Sequence, residues 1–345
     1  MERDVRGTQG ERSERGERRP AFRPRVAVVG SLNMDLVCSA PHQPSSGETL
    51  VGTAFGMFIG GKGANQAVAA ARAGAQVEMI GRLGTDSFGR DIAGALENEG
   101  IGLRHVTRDV VMGTGVAQIT VEPGGTNSII VVPNANMRVT EKDVQRARGV
   151  ISASSVLLLQ LETPIETSIA AAKIARQAGA IVILNPAPAG GGHPGGEAED
   201  LPAALLRLVD VLTPNQQETR YLTGVDTSTG EGAIQAAERL RARGVKTVLL
   251  TLGEQGALLL EQDAAPKVIP SFPVRVVDTT AAGDSFCGAL AVALGEDQSL
   301  EEAARFACAA GALACTVMGA GPSLPLRYEI ERLLASSSAI FGWVG

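Results

Sequence analysis

The chain has 345 residues, of which 44% are hydrophobic and 20% charged, enough to bury the core of one large α/β unit and too apolar for a disordered or fibrous chain. The formal charge is −6 and aromatics make up only 3%, which argues against a nucleic-acid backbone or a base-stacking platform as partner. No apolar run reaches the ~18 residues of a membrane span, and Cys38, Cys287, Cys308 and Cys315 lack metal-site or disulfide spacing, so a reduced cytoplasmic protein is expected, with the nucleus open to it in a eukaryote.

Residues 1–25 mix arginine and glutamate with glycine and proline and read as a disordered tail, because so few apolar groups cannot offset the entropy of ordering. An α/β domain is expected over 26–335 and a short tail over 336–345. Apolar runs at 26–30, 77–81, 155–161, 181–184, 209–212 and 247–251 read as buried strands. Amphipathic segments at 65–73, 88–99, 141–148, 166–177, 216–222 and 233–243 read as the helices between them. That alternation predicts a doubly wound α/β fold, a mainly parallel sheet sandwiched by helices. Two stretches, 36–59 and 105–132, break the rhythm with β-prone segments and turn residues such as Glu122-Pro-Gly-Gly-Thr-Asn127; they predict a small separate β-sheet lid. The glycine-rich stretch 190–200 reads as a surface loop.

Glycines cluster where backbone approach would matter. Gly56-Met-Phe-Ile-Gly-Gly-Lys-Gly63 nearly meets the P-loop pattern, but Gly63 stands where the Mg²⁺-binding hydroxyl belongs. The segment still leads into a helix, so it suits either a ligand near a helix N-terminus or a tight turn. Asp278-Thr-Thr-Ala-Ala-Gly-Asp-Ser-Phe286 places small residues before a helix starting near Ala281, an anion-binding arrangement. An acid in that first turn, Asp284, is either a working base or ordinary complementation of the helix dipole.

Gly61-Lys-Gly-Ala-Asn-Gln66 together with Asp278-Thr-Thr-Ala-Ala-Gly-Asp284 resembles the ribokinase family, the phosphofructokinase-B group of carbohydrate kinases. Further matches lie between them in order: Gly30-Ser-Leu-Asn-Met-Asp35, Gln160-Leu-Glu162, Asn185-Pro-Ala-Pro188, Thr213-Pro-Asn215 and Thr251-Leu-Gly253. The resemblance covers the chain from Val26 to about Pro325 and implies ATP-dependent phosphorylation of D-ribose at O5. By the same likeness Asn33, Asp35, Gly61, Lys62, Asn65 and Glu162 bind the sugar. Asp284 is the implied general base, and the amides of Ala281, Ala282, Gly283 and Asp284 form the anion hole. ATP is implied at Asn215, along Thr251, Leu252, Gly253, Glu254, Gln255 and Gly256, at Gly283 and Asp284, and near Cys308. Mg²⁺ is implied close to Glu218, largely through water. K⁺ is implied on Asp278, Thr280, Ala314, Val317, Gly319 and Ser323.

Cys308 departs from the His or Asn common near the adenine, so base preference is open there; burial and a redox role are both readable for it. Between Met112 and Val132 no Lys, Arg or aromatic residue occurs, which favours a small unphosphorylated sugar over a phosphorylated sugar or a nucleoside. Ala117 and Ile119 are expected as the apolar rim over that sugar. Exposed edge strands need cover, and by the family's pattern the lids of two subunits pack as a homodimer. The rival readings are a deoxyribo-, fructo- or adenosine kinase, a dinucleotide-dependent oxidoreductase, and a catalytically silent sugar-binding protein. Against the oxidoreductase, Gly30-Ser-Leu-Asn33 stands where G-x-G-x-x-G would follow the first strand.

Overall fold

The computed structural model of the chain describes residues 23–189 and 201–341. Most of the tail expected over 1–25, the loop expected over 190–200 and the last four residues lie outside that range. Nine strands form a large sheet: β1 Arg25–Val29, β4 Gln76–Gly84, β5 Gly102–Asp109, β8 Val156–Leu159, β9 Ile181–Leu184, β10 Val211–Leu212, β11 Thr247–Thr251, β12 Ala257–Leu260 and β13 Lys267–Ile269. Their order is β13-β12-β11-β10-β9-β8-β1-β4-β5. All neighbours from β11 to β5 run parallel, and β12 and β13 add an antiparallel edge. A second sheet, in the order β3-β2-β6-β7, contains β2 Asn33–Ser39, β3 Ala54–Gly60, β6 Gly115–Val121 and β7 Asn127–Val132.

The helices are α1 Lys62–Ala73, α2 Ser87–Asn98, α3 Glu141–Arg146, α4 Arg148–Ser152, α5 Ile165–Ala178, α6 Ala203–Leu206, α7 Gln216–Thr223, α8 Gly230–Ala242, α9 Ala282–Gly295, α10 Leu300–Ala314, α11 Ala320–Ser323 and α12 Arg327–Phe341. Alternate strand residues feed two cores. Val26, Val28, Leu158, Ile183 and Leu249 pack with α1, α9 and α10. Ala27, Val29, Leu157, Leu159 and Leu250 pack with α5 and α8 on the other face. A parallel sheet covered on both sides needs this continuous apolar strand, because each face buries every second side chain. The expected doubly wound fold is therefore observed.

Local chemistry sets the element ends. Asn215, Thr140 and Ser299 cap α7, α3 and α10 in reciprocal capping boxes, and Gly74, Gly179 and Gly224 end α1, α5 and α7 in the left-handed region. Helices α1 and α9 meet closely at Gly288, where a Cβ would stand 2.5 Å from that of Ala69 and 2.7 Å from the Ala70 amide nitrogen.

The structure differs from the sequence reading in several places. The stretch 105–132 divides: β5, starting at Gly102, joins the large sheet beside β4, and only 115–132 enters the small one. β5 (GLRHVTRD) has neither a continuous apolar run nor a strict alternation, so its pattern does not tell which sheet it joins. The helix expected at 141–148 is two helices that share Ala147 as boundary residue. The last helix continues to Phe341, beyond the expected limit of 335. Among the described residues no helix is long and apolar enough to cross a membrane.

Candidate active site

Chain segments that leave the carboxyl ends of the parallel strands converge, as open α/β sheets require of a ligand site. After β1 come Gly30, Ser31 and Leu32, and then Asn33 opens the small sheet; Glu162 follows β8, Asn185 follows β9, and Asn215 follows β10 and bridges to Thr251 at the end of β11. Helices α1 and α9 point their N-termini into the same region.

The turn into α1 depends on glycine. Gly61 has φ +86°, and a Cβ on Gly63 would lie 2.5 Å from the Ser31 amide nitrogen. This close approach lets one carboxylate oxygen of Glu162 accept hydrogen bonds from the Ser31 hydroxyl and from the Lys62 amide, the latter at 3.0 Å. Ser31 also accepts from the Gly63 amide at 3.2 Å. Glu162 is thus joined to both the β1 turn and the start of α1.

Asn33 is buried, and its Oδ1 accepts from Asn136 Nδ2 at 2.7 Å. Asn136 in turn accepts from the Leu32 amide at 2.9 Å and donates to the Leu32 carbonyl at 3.2 Å. Asp35 stands on β2 with Ala117 of β6 as its neighbour in register. Its side chain makes no hydrogen bond among the described residues. Burial, then the negative charges of Glu162 and Asp284, push its carboxyl up to about 7. Such an acid suits hydroxyl donors from a ligand. The expected rim differs in depth, since Ala117 is buried and Ile119 only partly so.

Asp284 lies in the first turn of α9 and is 6% exposed. Asn65 Nδ2 donates to its Oδ2 at 3.0 Å and Gln66 Nε2 to its Oδ1 at 3.0 Å. Burial raises the acid's pKa most, while Lys62 and the two amides oppose that rise without cancelling it. Lys62 feels the reverse: burial disfavours its charge, yet Asp284, Glu162 and Glu218 together hold its pKa above the ordinary value. The four ionisable groups therefore form one electrostatic cluster, although they come from four separate segments.

Before α9, Ala281 adopts φ +60°, a left-handed conformation that costs a non-glycine residue about 1 kcal/mol. Of the four amides expected as an anion hole, that of Ala282 donates to the Thr279 carbonyl at 3.2 Å. Those of Ala281, Gly283 and Asp284 donate to no group among the described residues.

Asp278 ties two loops together. Its Oδ1 accepts from the Thr280 amide at 2.9 Å and hydroxyl at 2.7 Å, and its Oδ2 from the Gly319 amide at 2.8 Å. Burial opposes its ionisation, but these bonds prevail and hold the carboxyl below the usual range. Asn215 and Glu218 are partners in the α7 capping box, at 2.8 and 2.7 Å. Gly253–Gln255 forms one 3₁₀ turn, closed by Gly256 at φ +96°; a Cβ there would meet the Ile269 carbonyl at 2.0 Å. Cys308 is 7% exposed on α10, and burial pushes its thiol up to about 12, which favours the protonated form at neutral pH.

Sequence reasoning left Ser31, Gln66, Asn136, Gln160 and Asn185 without a role. Four of these stand inside the quoted motifs, so position in a motif was the signal available for them. Asn136 had none, because its partners are more than a hundred residues away in sequence.

A family model described as "pfkB family carbohydrate kinase" matches residues 23–327. The ribokinase of Haemophilus influenzae is 41% identical over 313 residues, covering 91% of this chain and 99% of that protein. The structure of Arabidopsis thaliana ribokinase complexed with ribose and ATP aligns with a TM-score of 0.81 at 38% identity, covering 91% and 99% of the two chains. Ribokinase from Thermotoga maritima aligns with a TM-score of 0.79 at 37% identity, covering 90% and 99%. The match runs along nearly the whole chain, which belongs to the pfkB family of carbohydrate kinases, enzymes that phosphorylate a sugar.

Proposed function

We propose that this chain is an ATP-dependent ribokinase, which converts D-ribose and ATP into ribose 5-phosphate and ADP. The observation that carries the reading is Asp284, buried at the start of α9 with both carboxylate oxygens held by amides. In the reaction the ribose O5 forms a bond to the γ-phosphorus, and the bond from that phosphorus to the β,γ-bridging oxygen breaks. Asp284 takes the O5 proton, and the unclaimed amides of Ala281, Gly283 and Asp284 face the phosphoryl charge. Positioning and charge neutralisation dominate such loose transition states. Asp35, Asn33, Asn65, Gly61, Lys62 and Glu162 hold the sugar, because a furanose rich in hydroxyls needs fixed acceptors and donors. ATP lies along Asn215 and the 251–256 loop. The short Ala117 side chain beside Asp35 and the absence of Lys and Arg from 112–132 suit a sugar without a phosphate.

Two ions fit the residues present. Glu218 is buried, and burial raises its pKa, Lys62 opposing; an adjacent Mg²⁺ would hold it ionised, through water, while neutralising the nucleotide phosphates. Asp278, Ser323 and the carbonyls of Thr280, Ala314, Val317 and Gly319 are hard oxygen donors. Asp278 is kept anionic and already joins 278–280 to Gly319, a donor set suited to K⁺. The lid leaves Phe55 67% and Ile130 61% exposed, and a homodimer through this sheet would cover them.

The test is ADP release with MgATP over ribose, deoxyribose, fructose and adenosine, each with and without potassium. Preference for ribose, increased by potassium, is the expected result. Turnover of another sugar would move the substrate assignment and leave the Asp284 chemistry standing. Full turnover by Asp284→Asn would end the base assignment.

A further inference from the structure

We infer that Gln66, Gln160 and Asn185 form a polarised chain of buried amides that positions Asp284 as a proton acceptor. The inference rests on the reading of Asp284 as the base and assigns roles to three residues behind it.

The direction of the chain is fixed from its far end. The Thr213 carbonyl can only accept, so the Asn185 side chain must turn its NH₂ group toward it, at 2.9 Å. Asn185 Oδ1 then faces Gln66 and can itself only accept. Gln66 must therefore turn its own NH₂ group inward, where its two hydrogens meet Asn185 Oδ1 at 3.3 Å and Asp284 Oδ1 at 3.0 Å. The Gln66 oxygen is left for Gln160 Nε2, at 2.6 Å. Every amide orientation follows from one backbone carbonyl, as such networks allow. Gln66 and Gln160 are fully buried, so water cannot replace a lost partner.

Gln160 pays for this arrangement with an oxygen that is buried and has no hydrogen-bond partner. That oxygen sits 2.0 Å from where a Cβ of Gly30 would be, so the glycine makes the room it occupies. A flip of Gln160 would set its oxygen against the Gln66 oxygen and leave its NH₂ group buried without a partner. A flip of Gln66 would aim its oxygen at both Asn185 Oδ1 and Asp284.

The charges around Asp284 explain why an enforced donor matters. Glu162 after β8, Glu218 on α7 and Asp35 on β2 all oppose its ionisation, the Cys287 thiol on its own helix stays neutral, and Lys62 on α1 is the cation that favours it. The relay adds a donor that cannot turn away.

The test compares Gln66→Met, Asn185→Leu and their double variant with the unaltered enzyme in ribose and MgATP. Measured are kcat, both KM values and the pH dependence of kcat. Gln66→Met is expected to lower kcat about tenfold or more, leave the ribose KM within about twofold, and move the acidic limb of the kcat profile to higher pH. Asn185→Leu should show the same pattern more weakly, and the double variant should be no worse than Gln66→Met. If Gln66→Met does not fold, Asn185→Leu and Gln160→Met carry the test on the same limb. A kcat loss with an unmoved acidic limb, or losses from Gln66 and Asn185 that simply add, would overturn the relay. An Asp284→Asn variant separates the two readings: its full turnover removes the base itself, whereas its inactivity beside an unmoved Gln66→Met limb removes only the relay.

Discussion

Gly60 on β3 leaves the space that the Asp35 carboxylate fills: a Cβ at position 60 would stand 2.1 Å from Oδ2 and 2.2 Å from Oδ1. The two strands are antiparallel partners, so neither can retreat without disturbing the lid. Gly60→Ala should displace Asp35 and raise the ribose KM at least tenfold, with the ATP KM little changed. Steady-state kinetics with each substrate varied in turn checks this; a parallel change in both constants would contradict it.

Asp35 also gives a pH dependence. Its carboxyl is pushed up to about 7 by burial and by Glu162 and Asp284, so below that pH it is protonated and a poorer acceptor of sugar hydroxyls. The ribose KM should rise as pH falls through 7. For stability the sign is opposite to that of an ordinary acid: ionisation is disfavoured in the fold, so stability is full below about pH 4 and declines as pH rises toward 7. Asp35→Asn should therefore raise the melting temperature at pH 8 and leave it unchanged at pH 3.5. The underlying free energy is at most about 4 kcal/mol.

What was readable in the sequence follows from how each feature is encoded. β1, β8, β9 and β11 announce themselves because a doubly covered strand is apolar at every position. α9 does not, because it is buried from Asp284 to Gly295 and so lacks the polar face that gives a helix its period; only its entry of small residues was visible. β12 and β13, short and at an antiparallel edge, carried no alternation with a helix. In the site, residues inside motifs were legible one by one, but their joining was not. Ser31 and Glu162 are 131 positions apart, and only the sheet order makes them neighbours.

Asp278 holds the entry to α9 against the loop after α10. Asp278→Ala removes three hydrogen bonds to a carboxylate, each worth about 1.5–3 kcal/mol when charged. Loss of the potassium activation proposed above and a lower melting temperature are both expected. Because the folded carboxyl lies below its usual range, its stabilisation is present above about pH 4 and is lost on acidification. The variant and the parent should therefore converge in melting temperature at low pH.

A second charged group supports the fold away from the site. Arg82 on β4 bonds to Asp109 at 2.9 Å and to Asp143 at 2.8 Å, and both carboxylates are almost fully buried. Arg138 shares Asp109 at 2.7 Å. Burial opposes ionisation of Asp109, but the Met112 and Val111 amides and the two guanidinium groups hold its carboxyl far below the usual range. Arg82→Met should destabilise the protein by about 1.5–3 kcal/mol, because it removes charged hydrogen bonds to two buried carboxylates, while Asp109 keeps Arg138 and Asp143 keeps Arg146 as counter-charges. Chemical denaturation at pH 7 measures it, and sugar KM in the surviving folded fraction should be unchanged.

The contact at Gly288 bears on how this enzyme could change over evolutionary time. At Gly288 only the Ala69 methyl and the α1 main chain face α9, so the spacing between the helix that carries Lys62, Asn65 and Gln66 and the one that carries Asp284 is set by backbone and a single methyl group. Any side chain at position 288 would meet Ala69 and the α1 backbone and force the helices apart. The reach from sugar to phosphate therefore tolerates no added side chain at position 288. New sugar preferences would have to arise in the lid, at positions such as Ala117 and Ile119, where side chains alone define the available volume.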